Sequence, residues 1–119
     1  LDELLKESDV VSIHAPLNEK TKNLIGRNEL AMMKPSAYLL NAGRGASIVE
    51  ADLAAAVDNG VIAGAGVDVF VQEPLPEAHP YLNMKHPERM RFSPHIAWAS
   101  VEARERLVSM MAANIAKGW

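Results

Sequence analysis

A short apolar run turns abruptly polar in the stretch Tyr38-Leu39-Leu40-Asn41-Ala42-Gly43-Arg44-Gly45. Its apolar half has the composition of a buried strand, and the glycines mark the turn that follows. In an open α/β sheet the ligand crevice lies just beyond the carboxyl ends of the parallel strands. Arg44 is therefore predicted to point into a site, where its rigid guanidinium suits a carboxylate. On this stretch alone, an ordinary surface arginine is the alternative.

The composition is that of one folded domain, or part of one. The chain has 119 residues, a formal net charge of −3, no cysteine and no basic cluster, so nothing favours nucleic-acid binding. Without cysteine it has no disulfide, thiolate metal site or cysteine nucleophile. The apolar runs are far shorter than a membrane span, and the first residues do not resemble a signal peptide. We therefore expect a cytoplasmic protein that binds neither nucleic acid nor membranes.

Strand patterns alternate with helical patterns along the chain. This alternation predicts an α/β fold, a parallel sheet whose strands are joined by right-handed crossovers. The first helical pattern is expected to begin before this chain does. The predicted strands are residues 9–14, 37–41, 63–70 and 90–93, and the predicted helices are residues 1–5, 28–33, 50–59 and 100–115.

Three helix ends carry chemical signals. Asn28 is predicted to cap the second helix, and Ser100 to cap the fourth, through their side chains. Gly60 is predicted to give the third helix a left-handed C-terminal cap. The fourth helix is expected to bury one apolar stripe, formed by Val101, Val108, Met111, Ala112 and Ile115.

Chemically useful residues fall at strand ends. Arg44 and His95 follow apolar strands, Asp68 interrupts one, and Glu73 lies a few residues beyond it. A buried Asp68 must find a donor or face a crevice. A carboxylate, an Arg and a His converging on one edge are more than a solvated surface needs, so this edge is the candidate site. For His14, also at a strand end, a structural hydrogen bond is the simpler interpretation.

Seven short motifs follow one another in a fixed order. They resemble those of the D-isomer-specific 2-hydroxyacid dehydrogenases. The Trp after His-Ile-Ala indicates the glycerate dehydrogenase/hydroxypyruvate reductase type within that family. The motifs are Leu4-Leu5-x-x-Ser8-Asp9-Val10-Val11, His14-x-Pro16-Leu17, Met33-Lys34-Pro35, Asn41-x-x-Arg44-Gly45, Gly66-Val67-Asp68-Val69-Phe70, Glu73-Pro74-Leu75 and Pro94-His95-Ile96-Ala97-Trp98-Ala99-Ser100.

The resemblance implies a catalytic set of Arg44, Glu73 and His95. Arg44 would bind the carboxylate and carbonyl oxygen of the substrate, His95 would be the general acid/base, and Glu73 would orient His95. Reducing a 2-oxo acid needs a hydride on one face and a proton for the developing alkoxide. A histidine facing a carboxylate can give that proton near neutral pH. The cofactor, NAD or NADP, would supply the hydride.

The resemblance also implies a cofactor path on a Rossmann-like domain. Asp68 would hold the nicotinamide side of NAD, with Arg44 and His95 close to it. The three-layer sheet over residues 1–119 would be the second, C-terminal half of a doubly wound NAD-binding domain, because the sequence has no Gly-x-Gly-x-x-Gly loop. The other residues lining the path would be His14, Pro16, Ala42, Gly43, Ala97 and Trp98.

The whole protein would then act on a small 2-hydroxy or 2-oxo acid, glycerate or hydroxypyruvate first among them, and would be a homodimer. The chain alone, without the glycine loop and a substrate domain, is expected to be inactive. Two other functions stay open. Relatives of this fold act on formate or phosphite, and others sense dinucleotides in transcriptional corepression without catalysis.

Overall fold

The computed structural model describes residues 1–118 as a four-stranded parallel sheet with helices. The predicted α/β fold is confirmed. The strands lie in the order β1-β2-β3-β4, so neighbours in sequence are neighbours in the sheet. They are β1 (Val10–Ile13), β2 (Tyr38–Asn41), β3 (Gly64–Val67) and β4 (Met90–Phe92); the helices are α1 (Asp2–Glu7), α2 (Arg27–Met32), α3 (Glu50–Asp58) and α4 (Val101–Ala116). Short 3-10 turns occupy Gly45–Ser47, Pro80–Leu82 and Pro87–Arg89.

The register of the sheet brings the strand ends together. Asn41 aligns with Ile13 on one side and with Val67 on the other, and Val67 aligns with Phe92. Because all four strands are parallel, the segments that follow these residues leave the sheet side by side. This carboxyl edge is where the sequence places its candidate site.

The core lies on one face of the sheet. Residues alternate along β1 and β2, as the pleat requires, so that every second side chain is buried. On the other face Val10, Tyr38 and Leu40 are each at least 40% exposed. The helices α1, α2 and α3 contribute to the buried cluster, whose largest members are Leu5, Ile25, Leu30, Leu39, Ile48, Leu53, Val57, Ile62 and Tyr81.

Two of the three predicted helix caps are confirmed. Ser100 caps α4 through its side chain, and Gly60, with φ of +68°, follows the end of α3 in the left-handed region. The prediction for Asn28 is wrong, because α2 begins earlier and its N-cap is Gly26. The Gly26 amide donates to the Glu29 carboxylate over 3.0 Å, and the Gly26 carbonyl accepts from the Leu30 amide; these two bonds fix the start of the helix.

The predicted buried stripe of α4 is wrong. Val101, Val108, Met111, Ala112 and Ile115 are all exposed, and the exposed fraction of Ile115 reaches 72%. No other part of residues 1–118 covers this helix. An apolar stripe of this kind requires a covering surface, and the described chain does not provide it. None of the helices in residues 1–118 is long and apolar enough to cross a membrane.

Candidate active site

The strand ends deliver the predicted catalytic and cofactor-binding side chains to one edge. Arg44 lies in the turn after β2, Asp68 comes directly after β3, and His95 lies in the turn after β4. The β3 strand ends at Val67, earlier than predicted, although the Asp68 amide still donates to the carbonyl of Asn41 over 2.9 Å. The chain then leaves the sheet toward Glu73.

Glu73 and His95 form a hydrogen-bonded pair. Nδ1 of His95 lies 2.9 Å from Oε2 of Glu73, and the amide of Phe70 donates to Oε1 over 3.0 Å. The bond from His95 and the bond from Phe70 hold the pKa of Glu73 below its ordinary value. Because an ionised carboxylate only accepts, Nδ1 is the donor and Nε2 is left for a substrate. The pairing predicted by the resemblance is present.

Asp68 holds the turn that carries His95. It is buried, and its carboxylate accepts bonds from the Ser93 hydroxyl and from the amides of Ile96 and Ala97, the latter two at 2.9 Å. Burial opposes the charge, but these three donors keep the pKa of Asp68 below its ordinary value. His95 has φ of +56°, a conformation that costs a non-glycine residue about 1–2 kcal/mol. The bonds to Asp68 on both sides of His95 offset that cost.

Arg44 is exposed, and within residues 1–118 its side chain bonds only to the neighbouring backbone. Its Nη1 donates to the carbonyl of Gly43 over 2.8 Å, and no carboxylate in residues 1–118 forms a salt bridge with it. The buried Asn41 shapes the turn, accepting from the amide of Gly43 and donating to the carbonyl of Arg44. The guanidinium therefore has no anionic partner within the described chain.

A cavity lies beside the histidine. Its volume of about 330 Å³ would accommodate a small organic acid. Glu73 and His95 are the titratable groups in its wall, and the rest of the lining is Phe70, Pro74, Leu75 and Pro94. The cavity thus places a proton donor against an otherwise apolar space.

Residues 1–97 match the family model described as "D-isomer specific 2-hydroxyacid dehydrogenase, NAD binding domain". The chain belongs to the D-isomer specific 2-hydroxyacid dehydrogenases. The family resemblance stated from the motifs is confirmed.

Relatives in this family include the subgroup suggested by the tryptophan. The chain is 45% identical over 115 residues to a glyoxylate reductase from Thermofilum pendens, covering 97% of this chain and 33% of the relative. It is 41% identical over 115 residues to a glycerate dehydrogenase from Methylorubrum extorquens, covering 97% of this chain and 36% of the relative. The chain thus spans about a third of the length of the curated relatives it matches.

A solved structure of the family has the same fold. The D-isomer specific 2-hydroxyacid dehydrogenase from Lactobacillus delbrueckii ssp. bulgaricus, in its NAD complexed form, superimposes with a TM-score of 0.83 and 33% sequence identity. The alignment covers 99% of this chain and 40% of that chain. The Rossmann-like architecture expected from the motifs is therefore confirmed.

A second groove on the carboxyl edge suits the cofactor of a family NAD-binding domain. Its volume is about 450 Å³. Of the cofactor residues predicted from the motifs, the groove is lined by His14, Ala42, Asp68 and Ala97, together with Asn41 and Ser93 among others. Amide, imidazole and carboxylate groups beside apolar strand ends are a donor and acceptor set that fits the nicotinamide end of NAD.

Other predicted cofactor residues lie around this groove. Gly43 packs against β1, where an added Cβ would come within 3.1 Å of the carbonyl of Ile13. His14 is held by the Ser12 hydroxyl, 2.8 Å from its Nε2. Trp98 is 61% exposed and donates its indole N–H to the carbonyl of His95. His14 lines the groove, whereas Gly43, Trp98, His95 and the exposed Pro16 and Arg44 stand outside its lining.

Two buried polar residues next to the site were missed by the sequence analysis. Glu50 and His79 lie 29 positions apart, yet Oε2 of Glu50 is 3.0 Å from Nε2 of His79. Neither residue belongs to a sequence motif whose spacing would indicate that the two are in contact. In the structure Val49 is the N-cap of α3, and Glu50 is its first residue.

Proposed function

We propose that this chain is the C-terminal portion of the NAD-binding domain of an oxidoreductase. The enzyme would transfer a hydride between NAD(P)H and a small D-2-hydroxy or 2-oxo acid, with hydroxypyruvate and glycerate as the first candidates. The observation that carries the proposal is the hydrogen bond between Glu73 and His95 beside a cavity at the carboxyl edge. The names of the relatives, glyoxylate reductase and glycerate dehydrogenase, point to the same substrate class.

The proposed chemistry assigns a separate task to each side chain. NAD(P)H, when bound, supplies a hydride for the carbonyl carbon of the substrate. Nε2 of His95 donates the proton that the developing alkoxide needs, and Glu73 stabilises the imidazolium form through Nδ1. Arg44, free of a protein carboxylate, grips the substrate carboxylate with its planar guanidinium. In the oxidation direction the same His95 accepts the proton.

The cofactor would be held mainly from the strand ends. Asp68, His14 and Ala97 line the groove that suits the nicotinamide side. The carboxylate of Asp68 already accepts three protein hydrogen bonds, so we propose that it orders this wall as well as facing the cofactor. The pyrophosphate site, usually a glycine loop at a helix N-terminus, would lie in a part of the protein that these residues do not contain.

We further propose that the whole protein is a cytoplasmic homodimer. Dimerisation is supported by the exposed apolar side chains of α4, such as Val108 and Met111, which need a covering surface. Analytical ultracentrifugation of the full-length protein would test the dimer, and cell fractionation would test the compartment.

NADH consumption by the full-length protein tests the function. We expect steady oxidation of NADH with hydroxypyruvate or glyoxylate and none without a 2-oxo acid, with the His95→Asn protein as the matched control. Oxidised cofactor should be tested in parallel with formate and phosphite. A protein that binds NADH but turns over none of these acids would instead be a dinucleotide-sensing protein, and the proposal would be wrong.

A further inference from the structure

The buried pair of Glu50 and His79 has a fixed direction of hydrogen bonding. The side chains are 12% and 7% exposed, respectively. The amide of Tyr81 donates to Nδ1 of His79 over 3.2 Å, so Nδ1 carries no proton. Nε2 must therefore carry it and donate to the carboxylate of Glu50. The neutral imidazole thus links the turn at Tyr81 to the first residue of α3.

The second carboxylate oxygen of Glu50 contacts the segment that leads to Glu73. Oε1 accepts a bond of 3.0 Å from the amide of Val71. The preceding amide, that of Phe70, donates to Glu73 over the same distance. Two consecutive backbone N–H groups therefore serve two different carboxylates, one buried beside α3 and one facing His95.

Gly45 packs closely against the same peptide. A Cβ at Gly45 would lie 2.1 Å from the carbonyl carbon of Phe70 and 2.4 Å from the nitrogen of Val71, so only glycine permits this approach. Gly45 directly follows Arg44 in the chain. The Phe70–Val71 peptide thus contacts both the backbone of the Arg44 turn and the carboxylate of Glu50.

From these contacts we propose that Glu50 and His79 are positioning residues for the catalytic pair. They fix the Phe70–Val71 peptide, and this peptide sets where Glu73 meets His95. The role builds on the proposed reductase function of the same site. Neither residue touches the cavity beside His95, so each acts through the backbone rather than on the substrate.

A carboxylate suits position 50 because two donors converge on it. The Val71 amide and the His79 imidazole each need an acceptor, and a carboxylate offers two acceptor oxygens. A glutamine has one acceptor oxygen, so its NH₂ group would have to face one of the two donors. Glu50→Gln therefore breaks one of the two contacts with almost no change in volume, and it leaves either the Val71 amide or the buried His79 imidazole unpaired.

Aromatic packing makes the anchor stiff. The ring of His79 lies 4.8 Å from that of Tyr81, centroid to centroid, and Tyr81 packs edge-on against Phe70 at 6.3 Å. Burial, together with the nearby charge of Glu50, raises the pKa of Tyr81, so its hydroxyl stays neutral. Glu50 is then the charged member of this cluster, and its contacts are directional.

The same helix offers a matched control. Asp58, at the other end of α3, accepts bonds from the amides of Lys85 and His86, over 3.1 and 2.9 Å. It thus anchors the same long connection in the same way, but at residues that do not lead to Glu73. A role of Glu50 limited to loop anchoring predicts equal consequences for Glu50→Gln and Asp58→Asn.

The first test compares these two variants in the full-length protein. We expect Glu50→Gln to lower kcat for hydroxypyruvate reduction on the order of 10- to 100-fold, as a shift of a catalytic group does, with unchanged NADH affinity. The rate should also begin to fall at a lower pH than in the wild type, because a displaced Glu73 no longer favours imidazolium. Asp58→Asn should lose thermal stability but keep the wild-type kcat and pH profile.

The second test requires no turnover. NMR of the histidine ring protons follows the loss of the His95 proton with pH, and we expect it at lower pH in Glu50→Gln but not in Asp58→Asn. Asp68, the other acid acting on His95, keeps its own three donors in both variants. If the wild type reduces no 2-oxo acid, the proposed function fails, while this comparison still decides the positioning role.

A conservative replacement guards against an unfolded variant. His79→Gln retains a side-chain N–H for Glu50 and an oxygen for the Tyr81 amide, whereas His79→Ala retains neither. We expect His79→Gln to keep more of the wild-type kcat than His79→Ala, and its pH profile to be closer to the wild type. A Glu50→Gln or His79→Ala protein that is less stable, yet has the wild-type pH profile and His95 titration, would overturn the proposal.

Discussion

Two regions of the chain differ in how regular they are and in how well they are packed. They are the connection between β3 and β4, and the helix α4. The connection contains only two short 3-10 turns, yet its side chains and amides are bonded to Glu50 and Asp58 at the two ends of α3. In contrast, α4 is a regular helix of 16 residues with a side-chain cap at Ser100, and all of its apolar residues are exposed. Local signals thus specify a helix without specifying what it packs against.

The strongest way to sharpen this contrast is to express the chain by itself. The 119 residues contain no glycine loop for the cofactor pyrophosphate, so we expect no turnover and no tight NAD binding. β1 lies at one edge of the described sheet and α4 is uncovered, so the chain should self-associate. Calorimetric titration and light scattering check both points. A monomer with micromolar affinity for NAD would contradict them.

The next largest effect is expected at His95, which is hydrogen-bonded to Glu73 in the connection between β3 and β4. In the full-length protein, His95→Asn should lower kcat on the order of 10²- to 10⁴-fold, the usual contribution of a positioned acid/base. Steady-state kinetics with hydroxypyruvate provide the measurement. A loss in kcat of less than about threefold would be too small for an acid/base and would contradict the role of His95 in proton transfer.

Arg44 should be sensitive to the shape of its group rather than to its charge. Arg44→Lys keeps the positive charge but loses the planar fork, so we expect kcat/KM to fall on the order of 10²-fold with little change in NADH affinity. The two are measured by kinetics and by fluorescence titration. Equal losses in both would reassign Arg44 to the cofactor.

A pair of core and surface substitutions compares α3 with α4 directly. In the isolated chain, at concentrations low enough to keep it monomeric, Leu53→Ala in α3 should cost about 2–5 kcal/mol of unfolding free energy, because Leu53 is fully buried. Ile115→Ala in α4 should change it by no more than about 0.5 kcal/mol. Denaturant unfolding measures both values. In the full-length protein, a large cost for Ile115→Ala would reveal that another surface covers the stripe.

The smallest expected change is a shift in pH dependence. Glu73→Gln removes the charge opposite His95, so the acid form of the imidazole should be lost at lower pH and the optimum for reduction should move down. In the wild type the pKa of Glu73 is lowered, so the stabilisation from its charged form is fully present at pH values above the ordinary pKa of glutamate. This stabilisation is lost as the pH falls through the lowered pKa of Glu73. A pH–rate profile identical to the wild type would exclude the pairing.

The parts predicted well from sequence depend on local patterns. The strand ending at Asn41 and the polar residues at strand ends could be read from apolar runs interrupted by Gly, Asp and Pro. The relation between Glu73 and His95 came from the family motifs, since 22 positions separate them. Their contact depends on the parallel register, which places the ends of β3 and β4 side by side.

The features that were predicted wrongly or missed depend on which residues contact each other in the folded chain. Asn28 is a good capping residue, but the N-cap lies two residues earlier, at Gly26, whose amide donates to the Glu29 carboxylate. The period of α4 identifies an apolar stripe, but periodicity does not say which surface covers it. Glu50 and His79 meet only because the long connection folds back over α3, and no sequence spacing encodes that return.

The shared peptide between Phe70 and Val71 has a consequence for protein engineering. Glycine at 45, the carboxylate at 50 and the carboxylate at 73 all contact this one rigid plane or the amides beside it. Substitutions at these positions should therefore be strongly non-additive, and a change tolerated at one of them will depend on the residues present at the other two. Directed evolution of this site would have to vary the three positions together, because the effect of a substitution at one position depends on the residues at the other two.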